Sequence, residues 1–423
     1  MSLLKLPTTM SEAKEYNYKY WTSDKPLPSF TNHSFGKHGS IDNDFGKNAI
    51  YSSTVPITFE PLVWDSFNVS ESCREEDVQE VCKFLNKYYY NHERERFLKI
   101  MTPSYLTWAI GYNGMCHLLK YKNIIVSVVC VAFPTLTVGK EDIQCCDVKY
   151  ACLHPKYRTN RDDTTCEKPP LVHAIFDELI RYYYEKSFRV GLFTTEAFVP
   201  VPFTSFREYF RPLNYEKLLD NKFYMLNGDK TSIQERFSEK TKPSKAYNVA
   251  VEQDIEEMYE LYNEYRSQFK VSINYSFEEF KYFMWNENVK VFVIRNTKEN
   301  KIVDFVSYYK YQMSIKNSDD VFNCTRMFLF TCLCEEITLL GANTIRLIAQ
   351  YDADCDMFWS NDLNSSKDYI LATPSKPDEE SDEDEHKKAY ELKFVKYSSV
   401  KYINTFNYRI GMVNTFQVIY TDQ

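Results

Sequence analysis

Reactive side chains are plentiful in this chain, yet almost nowhere are they spaced for the common catalytic chemistries. The seven histidines are scattered, with no HExxH that would set two imidazoles on one helix face to hold zinc. Twelve cysteines, among them Cys145 with Cys146 and Cys332 with Cys334, do not make the paired CxxC of a zinc site and read as reduced core thiols. Ten glycines supply no Walker, Rossmann or GxSxG loop, so triphosphate and serine-hydrolase chemistry lack their signatures. His154 is expected to order its loop rather than to act as a base. A strand-like run, Val148–Leu153, passes through a polar loop into a helical pattern. Near the other end, Phe416, Val418 and Tyr420 alternate as a buried strand would.

The elements that must position such a site fall into two halves. At 423 residues the chain exceeds the ceiling of about 250 to 300 residues for a single core, so two packed units are expected. Residues 1–60 are rich in Asn, Ser, Pro and Gly with little periodicity and read as an extended arm that must wrap something. Val78, Val81, Cys82, Leu85, Tyr88 and Tyr89 mark a helix, with Ser72 and the acidic Glu75–Asp77 suiting its start. Ile124–Phe133 and Val148–Leu153 read as buried strands. Leu171, Ile175, Phe176, Leu179, Ile180 and Tyr183 then form an amphipathic helix before a strand at Val190–Thr194, a βαβ-like order. A polar bridge at Gly228–Ser244 precedes a second cycle. It reads as a helix over Ile255–Phe269, strands at Val289–Ile294 and Ile302–Tyr309, a helix over Met327–Leu340 and a strand at Thr344–Ala349. The acidic block 374–388 has nothing to bury and reads as a disordered surface insertion.

Composition excludes several function classes. A net charge of -8 gives no electrostatic footprint for nucleic acid. No run of about 18 apolar residues offers a membrane span. The first ten residues fit neither a signal peptide nor a presequence, so the expected compartment is the cytosol.

The stretch DVKYACLHPKYRTNR at 147–161 closely resembles the signature N-F-L-C-V-H-K-K-L-R-S-K-R of the eukaryotic-type protein N-myristoyltransferases, with Cys152, His154, Lys156, Arg158 and Arg161 in register. Further matches follow in the family's order: YKYW at 18–21, HGSI at 38–41, LVWD at 62–65, YLTWAI at 105–110, FTTEAFVPVP at 193–202, RPLNYEKL at 211–218 and VDFVSYY at 303–309. The resemblance spans nearly the whole chain and implies an α/β (α+β) fold of two tandem acyl-CoA N-acyltransferase (GNAT-like) domains, each a mixed central sheet flanked by helices. These would be an acyl-CoA-binding unit over 61–240 and a peptide-side unit over 245–423.

It also implies an activity, transfer of a myristoyl group from myristoyl-CoA to the N-terminal glycine amine of a peptide or protein, by a monomer that needs no metal and enters no membrane stably. A different acyl chain or acceptor, or a homologue that only binds, are the alternatives. By the same resemblance Lys19, Tyr20 and Trp21 of the arm cover the nucleotide, while Arg158, Thr159, Asn160 and Arg161 cradle the phosphates. The backbone amides of Tyr150 and Ala151 hold the thioester oxyanion, Thr194 helps to hold the glycine amine, and the main-chain carboxylate of Gln423 takes its proton. Tyr88, Phe97, Lys149 and Glu196 fall on the peptide side. The chain departs from the family's pattern there: Lys149 stands for Asn, Glu196 for Gly and Phe210 for His, and Asp162, Asp163 and Glu167 lie in an insertion beside the cradle.

Overall fold

The computed structural model describes residues 7–16, 18, 20, 25–28, 38–42, 62–71, 74–89, 95–158, 171–199, 201–223, 247–334, 336–364, 366–370, 394–397 and 400–421. The expectations for Lys19, Trp21, Ser72, Thr159, Asn160, Arg161, Gln423, the insertion at 162–169, the bridge at 228–244 and the acidic block at 374–388 lie outside these residues.

A ten-stranded mixed sheet starts at Leu62–Asn68 and passes through Met115–Tyr121 to β1 (Ile124–Ala132) and β2 (Glu141–Leu153). The near-continuous apolar run of β1 follows from its place, since a central strand is covered on both faces. Val128 and Cys130 enter the core beneath the helix Glu75–Tyr88, whereas Val129 and Val131 enter a second core on the opposite face. That second core is closed by α1 (Leu171–Glu185), whose buried residues Leu171, Ile175, Leu179 and Tyr183 recur at every fourth position, a single helical stripe. α1 leads into β3 (Val190–Thr195), which lies parallel to β2 from Cys145↔Val190 to Val148↔Phe193. The βαβ order read from periodicity is thus the observed crossover.

The second, eight-stranded sheet carries a matching unit. β4 (Ile302–Ile315) pairs antiparallel with β5 (Val321–Phe330), and α2 (Ile337–Tyr351) returns the chain to β6 (Met357–Asn361), parallel to β5 over Cys324–Arg326. Two expectations are corrected here. Met327–Leu340 is not one helix, because Met327 and Phe330 continue the β5 ladder opposite Tyr308 and Val306. Thr344–Ala349 is not a strand but the middle of α2. Short apolar runs do not separate a buried strand from a buried helix, and α2 is buried over Leu340–Ile345 and at Leu347 and Ile348. The Thr344 hydroxyl, in place of a strand's cross-pairing, donates back one turn to the Leu340 carbonyl at 2.8 Å.

The sheets exchange strands. Phe97–Lys99 and Glu208–Pro212 join the second sheet, while Val271–Asn274, β7 (Lys401–Phe406) and β8 (Val418–Ile419) join the first. The arm contains a short helix, Met10–Glu15, capped by the Thr9 hydroxyl, where only extended chain was expected. The alternation expected at Phe416 also fails. Thr415–Gln417 form a 3-10 turn with Phe416 53% exposed, and Val418, Ile419 and Tyr420 are all buried, with no alternation among them.

Candidate functional site

The site is built where β2 changes register. Cys130 of β1 faces Tyr150, but Val131 faces Val148, so Lys149 is an extra residue in β2. Such a bulge bends the strand and re-aims its side chains. Pairing with β3 stops at Val148↔Phe193, and the two strands part beyond it. The His154 amide donates to Val126 of β1 at 2.8 Å. Strand alternation from that bond turns the Ala151 amide away from β1, toward the gap. Tyr150 sends its ring into the core against Tyr89, centroids 5.6 Å apart.

The gap opens into an apolar cavity of about 420 Å³ between α1 and β3, within the range of small-molecule sites. Its walls include Val131, Val148, Leu179, Ile180 and Leu192, and Ala151, Lys149 and Thr194 line it as well. The Thr194 hydroxyl is buried with no hydrogen-bond partner among the described residues. Tyr20 of the arm lines the cavity too. Its hydroxyl donates to Asp177 of α1 at 2.9 Å, Lys25 pairs with the same carboxylate at 2.7 Å, and its ring lies 4.8 Å from that of His173.

Lys149 joins this cavity to the end of the chain. Its ammonium, 8% exposed, pairs with the 1% exposed Asp147 at 2.8 Å and donates to the Thr421 carbonyl at 3.3 Å and the Tyr420 hydroxyl at 3.2 Å. Tyr420 in turn donates to Asp147 at 3.0 Å. A buried pair keeps its desolvated charges only with such added hydrogen bonds. Lys149 and Thr421 also line a small cavity of about 60 Å³ with Tyr275 and Glu279, and Thr421 lines another of about 40 Å³ beside Arg326. Three cavities therefore meet at Lys149 and Thr421. Sequence reasoning missed this network, although Asp147 and Lys149, two apart on a strand, were a visible signal of a same-face pair.

The remaining predicted residues are placed as follows. Arg158 donates from its Nε to the Leu153 carbonyl at 2.7 Å and from its guanidinium to the Tyr88 carbonyl. Tyr88 packs on His154, centroids 4.5 Å apart, and His154 Nδ1 accepts the Lys156 amide at 3.2 Å, so this histidine holds its own turn. Its pKa is lowered by desolvation and by Lys87, Arg158 and Lys156. Glu196 is exposed just past β3. Phe97 and Phe210 sit in an aromatic cluster of the second sheet with Phe223 and Trp359. The structure thus gathers Tyr20, Lys149, Ala151 and Thr194 on one cavity, with Tyr150 beside it, and leaves Tyr88, Phe97, Arg158 and Glu196 off it. Among the described residues, no group of three or more His, Cys, Asp or Glu is placed to hold a metal, and no helix is long and apolar enough to cross a membrane.

Comparison with known proteins bears on the same halves. The family description "Myristoyl-CoA:protein N-myristoyltransferase, N-terminal domain" matches residues 41–205, and its C-terminal counterpart matches 225–367. The chain belongs to the N-myristoyltransferase family. Glycylpeptide N-tetradecanoyltransferase of Kluyveromyces lactis is 25% identical over 320 residues, 73% of this chain and 68% of that one. Glycylpeptide N-tetradecanoyltransferase 2 of Bos taurus is 22% identical over 373 residues, 85% and 71% of the two chains. The fold matches the Saccharomyces cerevisiae N-myristoyltransferase crystallised with bound myristoyl-CoA, with a TM-score of 0.75 at 19% identity over 94% of both chains. Two GNAT-like units, as expected for an N-myristoyltransferase, describe the architecture.

Proposed function

We propose that this protein transfers a myristoyl chain from myristoyl-CoA to the N-terminal glycine amine of a peptide or protein. The observation that carries the reading is the apolar cavity that reaches the β2 bulge, where Ala151, Thr194 and Lys149 line it and Lys149 holds the Thr421 carbonyl. The acyl chain lies between α1 and β3, stabilised by about 0.8 kcal/mol for each buried methylene. The thioester carbonyl lies at the bulge, where the Ala151 amide stabilises the negative oxygen that forms when the amine attacks; Tyr150, whose own amide the same alternation turns toward β1, is carried with it on the resemblance alone. The Thr194 hydroxyl, which needs a partner, takes the incoming amine. Gln423 is carried forward as proton acceptor on the resemblance, through a main-chain carboxylate that follows Thr421.

Tyr20 supports a nucleotide-covering role for the arm, and Lys19, Trp21, Arg158, Thr159, Asn160 and Arg161 are assigned to the CoA side with it. Tyr88, Phe97, Lys149 and Glu196 are assigned to the peptide side, residues 61–240 to acyl-CoA binding and 245–423 to the peptide. A cytosolic setting accompanies the proposal, supported by free thiols such as Cys116 and Cys130, whose sulfurs lie 3.5 Å apart. So does a monomeric state. The test is acyl transfer from myristoyl-CoA to a panel of glycine-initiated octapeptides, read by mass spectrometry. The expected product is heavier by one myristoyl group and absent with N-acetylated peptides. Acyl-CoA binding without any product would leave a binding-only homologue.

A further inference from the structure

The cavity between α1 and β3 ends at a thin aromatic wall. Behind it lies a wider outer cleft of about 770 Å³ that opens past Tyr112, Lys186 and Glu279, and the two spaces share Tyr183 and Phe188 in their walls. These two rings form a partition with Phe133. Their centroids are 5.9 Å apart, and Phe133 lies 5.5 Å from Tyr183 and 5.0 Å from Phe188. The two contacts of Tyr183 are edge-on and the Phe133–Phe188 pair is tilted, arrangements that hold rings in defined orientations.

Tyr183 is fixed from behind as well. Its hydroxyl meets His117 Nε2 at 2.6 Å, and His117 Nδ1 meets the Ser66 hydroxyl at 2.7 Å, with His117 and Tyr183 almost wholly buried. A ring tethered at its hydroxyl cannot swing aside without leaving buried polar groups unpaired. Phe188 has no such tether. It is half-buried at the end of the turn after α1, and Ser187 before it holds a φ of 71°, a left-handed conformation that fixes the turn's direction.

We infer that Phe188 and Tyr183 are the end stop of the acyl cavity: Tyr183 is a positioned wall locked by His117 and Ser66, and Phe188 is the removable part that limits acyl-chain length. The inference rests on the acyl-transfer reading, because it needs the chain to lie in this cavity with its thioester at the bulge. Carbons that fit gain about fourfold in affinity for each methylene buried, and carbons that meet the wall gain nothing or lose. Taking away the Phe188 ring joins the cavity to the cleft, so a longer chain passes through.

The experiment is calorimetric titration of the full chain with dodecanoyl-, tetradecanoyl-, hexadecanoyl- and octadecanoyl-CoA, for the wild type and Phe188→Ala, with Phe188→Leu as a milder variant should Phe188→Ala fail to fold. Wild-type affinity is expected to rise to one chain length and then stop. In Phe188→Ala the ratio of hexadecanoyl to tetradecanoyl affinity should increase on the order of tenfold, and in Phe188→Leu by less. His117→Ala, which frees Tyr183, should broaden the length preference without abolishing binding. An unchanged ratio in the Phe188 variants overturns the inference, as does a wild-type affinity that climbs evenly to octadecanoyl-CoA. If the wild type binds none of the four thioesters, the acyl-transfer reading itself is contradicted and the end stop with it. Binding with an unmoved length preference contradicts the end stop alone.

Discussion

The two βαβ units of this protein use one plan and differ in what they leave open. In β2–α1–β3 the parallel strands stay together for only four paired positions and then part around an apolar cavity of about 420 Å³. In β5–α2–β6 the strands also pair only briefly, but the nearby space is about 40 Å³. The helices record the difference. α1 buries Leu171, Ile175, Leu179 and Tyr183 on one stripe, whereas α2 buries eight residues around most of its circumference. A helix buried all round belongs to a filled core, and a one-stripe helix can wall a binding space. The first unit therefore holds the wider apolar cavity, and the second the denser packing.

That contrast can be broken by truncation. Leu347→Ala in α2 should destabilise by about 4 kcal/mol, and Leu179→Ala in α1, whose side chain already borders a cavity and loses fewer contacts, by about 2 kcal/mol. Urea unfolding of both variants checks this. Equal losses would remove the distinction between filled and open units.

The link between the open unit and the last strand comes next. Lys149→Met leaves Asp147 with Tyr420 but without its cation, which should lower stability by about 3 kcal/mol. Hydrogen exchange should loosen first at 418–421 while α2 stays protected. Exchange that rises evenly over both sheets would make Lys149 an ordinary core residue.

A pH dependence of similar size is expected from the first unit. Burial, with Lys186 nearby, lowers the pKa of His117 from 6.5 to about 4. The folded protein keeps this imidazole neutral while the unfolded chain takes up a proton below pH 6.5. Stability is therefore complete above that value, falls by about 3 kcal/mol as the pH drops to about 4, and changes little for this reason below it. His117→Gln should flatten that slope in denaturant titrations between pH 7 and 4.5.

The mildest probe is ligand linkage. Tetradecanoyl-CoA at a hundred times its dissociation constant should add about 2.7 kcal/mol to wild-type stability, and nothing to Leu179→Trp, in which the cavity is filled. A gain that survives Leu179→Trp would move the ligand elsewhere.

Much of the first unit was legible in the sequence because its signals are local. The apolar run of β1, the four-residue stripe of α1 and the strand at 190–194 all mark their elements by period. The boundary between β5 and α2 was not, since Met327–Phe330 and Thr344–Ala349 are apolar in either state and only pairing with Tyr308 and Val306 decides. Strand exchange between the sheets was equally hidden, because Glu208–Pro212 and β7 are told apart from their neighbours only by distant partners. Within the site, Ala151 and Thr194 came from resemblance to a family motif. Apart from Asp147, the partners Tyr420 and Thr421 of Lys149 lie some 270 positions away, and the tether of Tyr183 comes from strands before it. No spacing rule reaches that far.

The central claim is that the acyl chain lies between α1 and β3 and not in the second unit. Photolabelling with a 14-carbon acyl-CoA carrying a diazirine at its terminal carbon tests this most directly. The account predicts saturable adducts within residues 171–195, competed away by unmodified tetradecanoyl-CoA. Adducts concentrated within 337–361, or labelling that tetradecanoyl-CoA does not compete, would contradict it.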